Sequence, residues 1–431
     1  MPDQLKHIKV RGVLPRVLVL LPLALALVGA WFSVRWYIGD TIAEFTGNRG
    51  LETARLAVRL SPNNPLAHWQ LGELESSLLP PEQLDLAIKD YEQAVSLSPN
   101  DYRFWLSLGR AWEQAGDTGK ADLAMRRAID LAPSYSYPRW YRGNLLLRGG
   151  YDAEAFAELQ RASDADPQLR SQVFNLAWAV HAQDFAALQA AIGSNVVSRA
   201  EFAKYLIERK AIDDGLRMWN GLSAADKQAN RAAGESILSS LIAAKNFPAA
   251  LGVWNALAPN DAARGTVGQL LNGSFEQDIG PASAVVFGWQ VRSVAQAAVA
   301  LDVKNHHSGA HSLRIVFQAK ARVDALQISQ LIALEPGKQY DLEFFVKTDK
   351  LESAGTPIIE IVDVIDGALL GASQRAPAGD NDWQSCVISF KTSAKTEAVG
   401  LRLNRASCGD NATCPIFGTV WYDDFNLKLH N

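Results

Sequence analysis

Pro99, Pro133 and Pro167 stand 34 residues apart, as do Ala94, Ala128 and Ala162, and again Ala87, Ala121 and Ala155. Gly109 and Gly143 keep the same interval. A fixed period of this length constrains a chain strongly, because each copy must make the same unit and bury the same face against its neighbour. An earlier copy, with Ala57 and Pro62, precedes its successor by 37 residues, and the extra residues fall in the loop sequence Ser77-Leu78-Leu79-Pro80-Pro81. Within a period, small residues (Gly109, Ala121, Ala128) recur beside large ones (Trp105, Leu108, Met125), a pattern that would let two paired helices cross closely with the large side chains filling the spaces between. Proline then stops the second helix, since it lacks an N–H and its ring clashes with the preceding turn.

This pattern resembles the tetratricopeptide repeat, whose period is 34 residues. The best copy runs from Tyr102 to Tyr135, with Trp105, Leu108, Gly109, Trp112, Ala121, Met125, Ala128 and Pro133 at the signature places. Residues 214–222 echo residues 249–257 at an interval of 35, so 168–258 read as further helical pairs. At the other end, Trp31 to Thr46 fills the first-helix slot of the earliest copy, so the preceding helix is expected to run straight into the array. The resemblance implies a stacked solenoid whose inner face comes from the first helix of each copy. The partner-binding residues it implies are Trp69, Arg103, Arg110, Tyr137, Trp140 and Asn144, aromatic and arginine groups suited to a protein partner. The same aromatics can instead pack between helices. The copies also depart from the pattern: the aromatic expected early in the repeat is His68 in one copy and Arg139 in another, which leaves their register open.

Ahead of the repeats, Lys6, Lys9, Arg11 and Arg16 precede an uncharged run of 18 residues, Val17 to Val34. That length is near the minimum for crossing a bilayer, and Trp31, Trp36 and Tyr37 fall where an interfacial aromatic belt would lie. The positive flank keeps the N-terminus cytoplasmic. The expected organisation is a cytoplasmic segment at 1–16, a transmembrane anchor at 17–38 and a helical repeat domain at 39–260, with the bulk exported to a periplasmic or extracytoplasmic space. A cleaved signal peptide, cut after Val28-Gly29-Ala30, is the alternative. Either route permits disulfides. Cys408 and Cys414 can pair across Gly-Asp-Asn-Ala-Thr, or remain two free thiols; no CxxC pair indicates structural zinc.

After Asp261 the period changes to two. Strand-like runs occupy 312–317, 327–334, 340–347, 358–364, 384–392, 398–404 and 419–427, separated by turn residues such as Glu335-Pro336-Gly337-Lys338. The ordered landmarks are Asn272-Gly273-Ser274-Phe275-Glu276, Gly288-Trp289, Leu334-Glu335-Pro336-Gly337 with Tyr340, Trp383, and Trp421-Tyr422-Asp423-Asp424-Phe425. Over residues 268–431 this is similar to the jelly-roll carbohydrate-binding modules of the galactose-binding-like class. The fold class is thus multidomain α plus β: a transmembrane helix, an α-solenoid and an antiparallel β-sandwich. The resemblance implies a structural calcium held by Glu276 and Asp423, with Asp424 as the alternative ligand. Trp289, Trp383 and Trp421 occupy places filled for packing, so all three are expected in the core.

A net charge of −4 excludes the basic surface that nucleic-acid binding requires. His306, His307 and His311 lie in a turn before a strand and read as loop residues. No His-Glu-x-x-His, Gly-x-Ser-x-Gly or phosphate-cradling loop is present, and Asp213-Asp214 and Asp423-Asp424 face no evident partner acid, so no enzyme is expected. Asn272-Gly273-Ser274 and Asn411-Ala412-Thr413 fit a glycosylation sequon. The leading expectation is a membrane-anchored, exported scaffold or adaptor: the repeats bind a protein partner and the sandwich contacts a glycan or protein, in a bacterial cell-envelope polysaccharide system. A glycan receptor with the repeats as spacer is the second expectation, and a polysaccharide-acting enzyme the third.

Overall fold

The computed structural model describes residues 13–45, 50–77, 81–258, 260–279, 286–292, 296–320, 325–409 and 414–430. The basic residues ahead of Val13, the inserted loop residues 78–80 and the Asn411-Ala412-Thr413 sequon lie outside these.

Helix α1 (Val13–Phe45) is continuous over 33 residues. Within it Leu20–Glu44, with a mean hydropathy of 1.4, is long and apolar enough to cross a membrane. Its last turns pack as a repeat helix against α2 (Leu51–Leu60) and α3 (Pro65–Ser76). A Cβ on Gly39 would lie 2.5 Å from Ser61 Oγ, Ala43 is fully buried, and Asn64 Nδ2 donates to Asp40 Oδ1 at 2.6 Å. The membrane-length helix therefore runs into the array as expected, with no break between them.

Pairs follow at the expected interval: α3 with α4 (Pro81–Leu97), α5 (Tyr102–Gln114) with α6 (Thr118–Leu131), and α7 (Ser136–Arg148) with α8 (Asp152–Ala165). The six recurrent alanines are all fully buried. Each pair crosses at a glycine that can carry no side chain. A Cβ would meet Tyr91 at 2.8 Å from Gly72, Met125 at 2.8 Å from Gly109 and Leu159 at 2.7 Å from Gly143. After each proline a polar residue can cap the next helix: Asn64 accepts from the Leu66 and Ala67 amides, and Asp101 from Arg103.

The irregular position settles its own register. Trp105 Nε1 donates to the Pro99 carbonyl at 2.8 Å. The His68 ring nitrogen Nε2 lies 3.0 Å from the Pro62 carbonyl, and Arg139 donates to the Pro133 carbonyl at 3.4 Å. All three residues stand six places after their proline and bond its otherwise orphan carbonyl. Where a charged or ionisable group replaces tryptophan, a carboxylate faces it: Asp90 lies 2.6 Å from His68, and Glu158 lies 2.8 Å from Arg139. The equivalent of those acids opposite Trp105 is Ala124.

Helices α9 (Arg170–His181) and α10 (Phe185–Ile192) complete the first of two compact units, which divide between Asn195 and Val196. The second unit holds α11 (Val196–Glu208), α12 (Ile212–Asn220), α13 (Ala224–Ala229), α14 (Arg231–Ala243) and α15 (Phe247–Leu257) together with the strands. Helix gives way to strand between α15 and the first strand at Gln290, while compactness divides the chain earlier, after Asn195. Asn255 makes two reciprocal bonds of 2.8 Å with the backbone of Gly265, and Trp254 Nε1 donates to the Ala263 carbonyl. The connection is thus fastened back onto α15.

The strands are β1 (Gln290–Val291), β2 (Ala297–Asp302), β3 (Ser312–Ala319), β4 (Ala325–Ala333), β5 (Gln339–Glu352), β6 (Pro357–Asp363), β7 (Leu369–Ala372), β8 (Gly379–Lys391), β9 (Ala398–Arg405) and β10 (Ile416–Leu429). They form two antiparallel sheets, β1-β4-β9-β6-β7 and β2-β3-β10-β5-β8, packed over one core that includes Phe275, Trp289, Ile315, Phe344, Leu401 and Tyr422. The Asn272–Glu276 landmark closes this core. Gly273 approaches the Phe425 carbonyl so closely that a Cβ would lie 2.0 Å from it, and Phe275 packs against Trp289 and Phe425. The Tyr340 hydroxyl accepts from the Glu335 amide at 3.1 Å, which accounts for the tyrosine that follows Glu-Pro-Gly.

Candidate binding faces

The residues implied as partner-binding lie on α3, α5 and α7, and several of them stitch those helices together. Trp69 is half-buried, its ring 5.8 Å from that of Phe104, and its N–H donates to Ser107 Oγ at 2.9 Å. Ser107 passes the chain on to Glu73 at 2.6 Å, where Tyr91 also donates at 2.9 Å. Burial first, and the Glu73 charge second, push the Tyr91 hydroxyl well above its ordinary pKa, so it stays a donor. Arg110 lies over the Tyr141 ring at 4.7 Å, linking α5 to α7, and Glu113 bonds Arg148. Arg103 is held by Asp101 at 2.6 Å and lies 5.9 Å from the Trp69 ring. Asn144 donates to the Trp140 carbonyl one turn back. Trp140 is half-buried, while Tyr137 is 54% exposed. Of the six, Arg103, Arg110 and Tyr137 are exposed and the other three half-buried. The sequence did not point to the Glu73–Tyr91–Ser107 network or to the Tyr102–Tyr135 ring pair at 4.9 Å, because these residues lie 18 to 34 places apart and share no place in the repeat pattern. A hollow of about 400 Å³ opens elsewhere, lined by Asp122, Arg126, Arg142, Leu146, Tyr151 and Glu154.

In the sandwich, the three carboxylates implied as calcium ligands hold the 305–311 loop. Glu276 Oε1 accepts from the amides of Ala310 (2.8 Å) and His311 (3.1 Å), and these bonds, the Ala310 amide first, keep its pKa below the usual carboxylate range. Asp423 Oδ2 accepts from the amides of His307 (2.8 Å) and Ser308 (3.2 Å). Burial raises the Asp423 pKa and outweighs those donors. Asp424 accepts from Ser308 Oγ and lies 2.7 Å from His307 Nδ1. A hard cation needs converging oxygens with lone pairs free. These oxygens face N–H and O–H donors, and among the described residues no three His, Cys, Asp or Glu side chains gather to hold a metal.

The three landmark tryptophans part company. Trp289 lies in the core as expected. Trp421 is buried but points away from the core, since its neighbours Val420 and Tyr422 point in; its N–H donates to Asp302 at 2.8 Å. Burial opposes ionisation of Asp302, but that bond and three from Lys304 and Asn305 bring its pKa down to about 2. Trp383 shares the outward parity of Ser385 and Val387, opposite to core residues Ile388 and Phe390, and is half-exposed. The expectation that it lies in the core is corrected: alternation along β8 turns it out. His307 is likewise more than a loop residue, because it stacks on Phe345 with ring centroids 3.6 Å apart and sets an edge against Trp383 at 5.7 Å. On the other sheet a polar group stands outward: Glu360 accepts from Arg402 at 2.7 Å and from Asn404 at 3.1 Å.

Cys408 and Cys414 form a disulfide, and Cys386 is free.

A family model for the tetratricopeptide repeat matches residues 82–101 and 102–135, and one for a carbohydrate binding domain matches 267–409. The chain carries tetratricopeptide repeats and a carbohydrate-binding domain. Both are non-catalytic kinds of domain. Among solved structures, a CBM4 structure is 16% identical, covering 37% of this chain and 99% of its own, with a TM-score of 0.29. MamA from Desulfovibrio magneticus RS-1 is 21% identical over 32% of this chain and 76% of its own, at a TM-score of 0.28. A thermophilic TPR protein of Thermus thermophilus is 21% identical over 32% of this chain and 77% of its own, at a TM-score of 0.27. Scores this low add nothing to the assignment. No curated protein matches the chain.

Proposed function

We propose that the chain is a membrane-tethered, exported scaffold of a bacterial cell-envelope polysaccharide system. Its repeats hold a protein partner and its sandwich contacts a glycan. The observation that carries this reading is the sharing of one helix: α1 offers an apolar stretch of membrane length and, without a break, the first packed helix of the array. Four large aromatics just ahead of that packed end, Trp31, Phe32, Trp36 and Tyr37, are each more than half exposed, which suits a bilayer interface better than water. The N-terminus stays cytoplasmic in this reading and everything past α1 lies outside.

The test uses the full chain in a bacterial host. We expect it to stay with the membrane after an alkaline wash, its body to be digested by protease added to spheroplasts, and crosslinking to recover a protein partner through the repeats. Release of a soluble product lacking the first thirty or so residues would overturn the tether. An unlabelled repeat face after crosslinking would overturn the scaffold role.

A further inference from the structure

The end of β9 carries a cation to a place where the strand's alternation calls for an apolar group. Leu401 and Leu403 point into the sandwich, and Arg405, two places on, shares their inward parity and is only 8% exposed. A guanidinium keeps its charge even when buried, so its surroundings must provide for it. Three oxygens fix it in place. Nε donates to the Gly355 carbonyl at 2.9 Å, Nη1 to the Cys414 carbonyl at 3.2 Å and Nη2 to Ser353 Oγ at 2.8 Å. Nη2 also meets the disulfide, donating to Cys414 Sγ at 3.0 Å and standing 3.9 Å from Cys408 Sγ. The two sulfurs differ in access: Cys414 is 4% exposed, whereas Cys408 is half-buried. Gly355 makes room for the outer one, since a Cβ there would lie 2.7 Å from Cys408 Sγ.

We propose that Cys408–Cys414 is a thiol-exchange site that accepts electrons from a dithiol, with Cys408 as the attacked sulfur and Cys414 as the leaving group held by Arg405. A disulfide sulfur is a weak acceptor, so the guanidinium gains little from it. A thiolate in the same place accepts a charge-assisted bond from a cation already positioned and shielded from water. Arg405 therefore favours the reduced pair over the bridged one, and a leaving thiolate stabilised in this way departs faster. The exchange balances in two steps. One thiol of the dithiol loses its proton and attacks Cys408 Sγ; that bond forms as the Cys408–Cys414 bond breaks, and the electron pair leaves on Cys414. The second thiol loses its proton and attacks the mixed disulfide on the reagent's sulfur. Cys408 then departs and takes up one of the two protons, the other going to water. The dithiol ends as a disulfide, and the chain ends with a Cys408 thiol and a Cys414 thiolate. This site is independent of what the repeats or the sandwich bind.

The experiment equilibrates the full chain in detergent with reduced and oxidised dithiothreitol in set ratios, quenches with acid, and maps each cysteine by peptide mass spectrometry. Mapping keeps the free Cys386 apart from the pair. At a given buffer ratio, Arg405→Met should lower the reduced-to-oxidised ratio of the pair about tenfold. Arg405→Lys, which keeps a cation, should retain most of the parent's value. Arg375→Met should behave as the parent does, because that guanidinium bonds the Ala354 and Ser407 carbonyls and no sulfur. Two readings on the parent chain hold whether or not the variants fold. Brief exposure to excess reduced glutathione should place the mixed disulfide on Cys408, and the thiolate ultraviolet absorbance gained on full reduction should appear at lower pH than that of free glutathione. An adduct on Cys414 or none at all, a reduced pair that ionises no earlier than glutathione, or a folded Arg405→Met chain reduced as readily as the parent would each overturn the site.

Discussion

The helical array and the sandwich solve the burial problem in opposite ways. In the array, one solution recurs: a glycine at the crossing, two buried alanines, a donor on the proline carbonyl. Each copy touches only its neighbours, so a local change can be absorbed locally, as where His68 with Asp90 and Arg139 with Glu158 stand in for Trp105 with Ala124. In the sandwich, residues from almost every strand meet in one core. A residue such as Phe344, fully enclosed with Tyr422 and Phe425 around it, has no repeat to fall back on. A repeat array tolerates substitution of a whole interaction; a single core tolerates only preservation of volume.

Hydrogen exchange on the full chain, read helix by helix and strand by strand, puts that contrast at risk. Phe344→Ala should cost the sandwich about 4 kcal/mol, the usual scale for emptying a buried aromatic site, and lower protection in both sheets together. Loss confined to β5 and its partners would break the comparison. Glu158→Ala leaves Arg139 and Arg142, both largely buried, without the carboxylate they share at 2.8 and 3.0 Å. About 3 kcal/mol should go, with the loss limited to α6, α7 and α8 while α3 and α4 keep their protection. Adding Arg139→Trp to Glu158→Ala rebuilds part of the Trp105 arrangement and should recover a good part of the loss; a purely additive double variant would mean that the positions are not equivalent. The smallest effect is one of pH. Burial alone would lower the His68 pKa, but the bonds to Asp90 and the Pro62 carbonyl outweigh it, so the folded value lies above the ordinary 6.5. The folded state holds that proton more tightly than the unfolded chain does. Its contribution is complete below 6.5 and is lost as pH rises through the folded value. Protection of α3 and α4 should fall over that window relative to α5 and α6, where Trp105 cannot titrate, and His68→Trp should abolish the difference.

The same contrast explains what could be read from the chain. Periodicity announces a repeat without any knowledge of contacts, so the helix pairs, the crossing residues and the entry of α1 into the array were legible in the alanines and prolines. The seven strand-like runs all became strands, β3, β4, β5, β6, β8, β9 and β10. Short β1 and β7 and the edge strand β2 escaped notice, because two to six residues carry too little alternation to distinguish them from loop. Landmark order gave the core roles of Phe275 and Trp289 correctly. It failed for Trp383 because which face of a strand is buried depends on its register with β5, and register is a relation between distant residues. The loop that the carboxylates hold was hidden for a related reason. Sequence supplies their charge, but the amide, hydroxyl and ring groups that meet Asp423 and Asp424 come from a loop over a hundred residues away.

A helix is also a screw, and α1 threads one from its apolar half into the first repeat. Because Gly39 must face Ser61 and Ala43 must face inward, the angular phase of the aromatic girdle relative to the repeats is set by residue count alone. One residue added between Trp36 and Gly39 would turn the array about 100° around the helix axis and move it about 1.5 Å along it. Four added residues would nearly restore the heading, about 6 Å further out. Spacing in that short stretch thus acts as a compass setting for the repeats of the first compact unit.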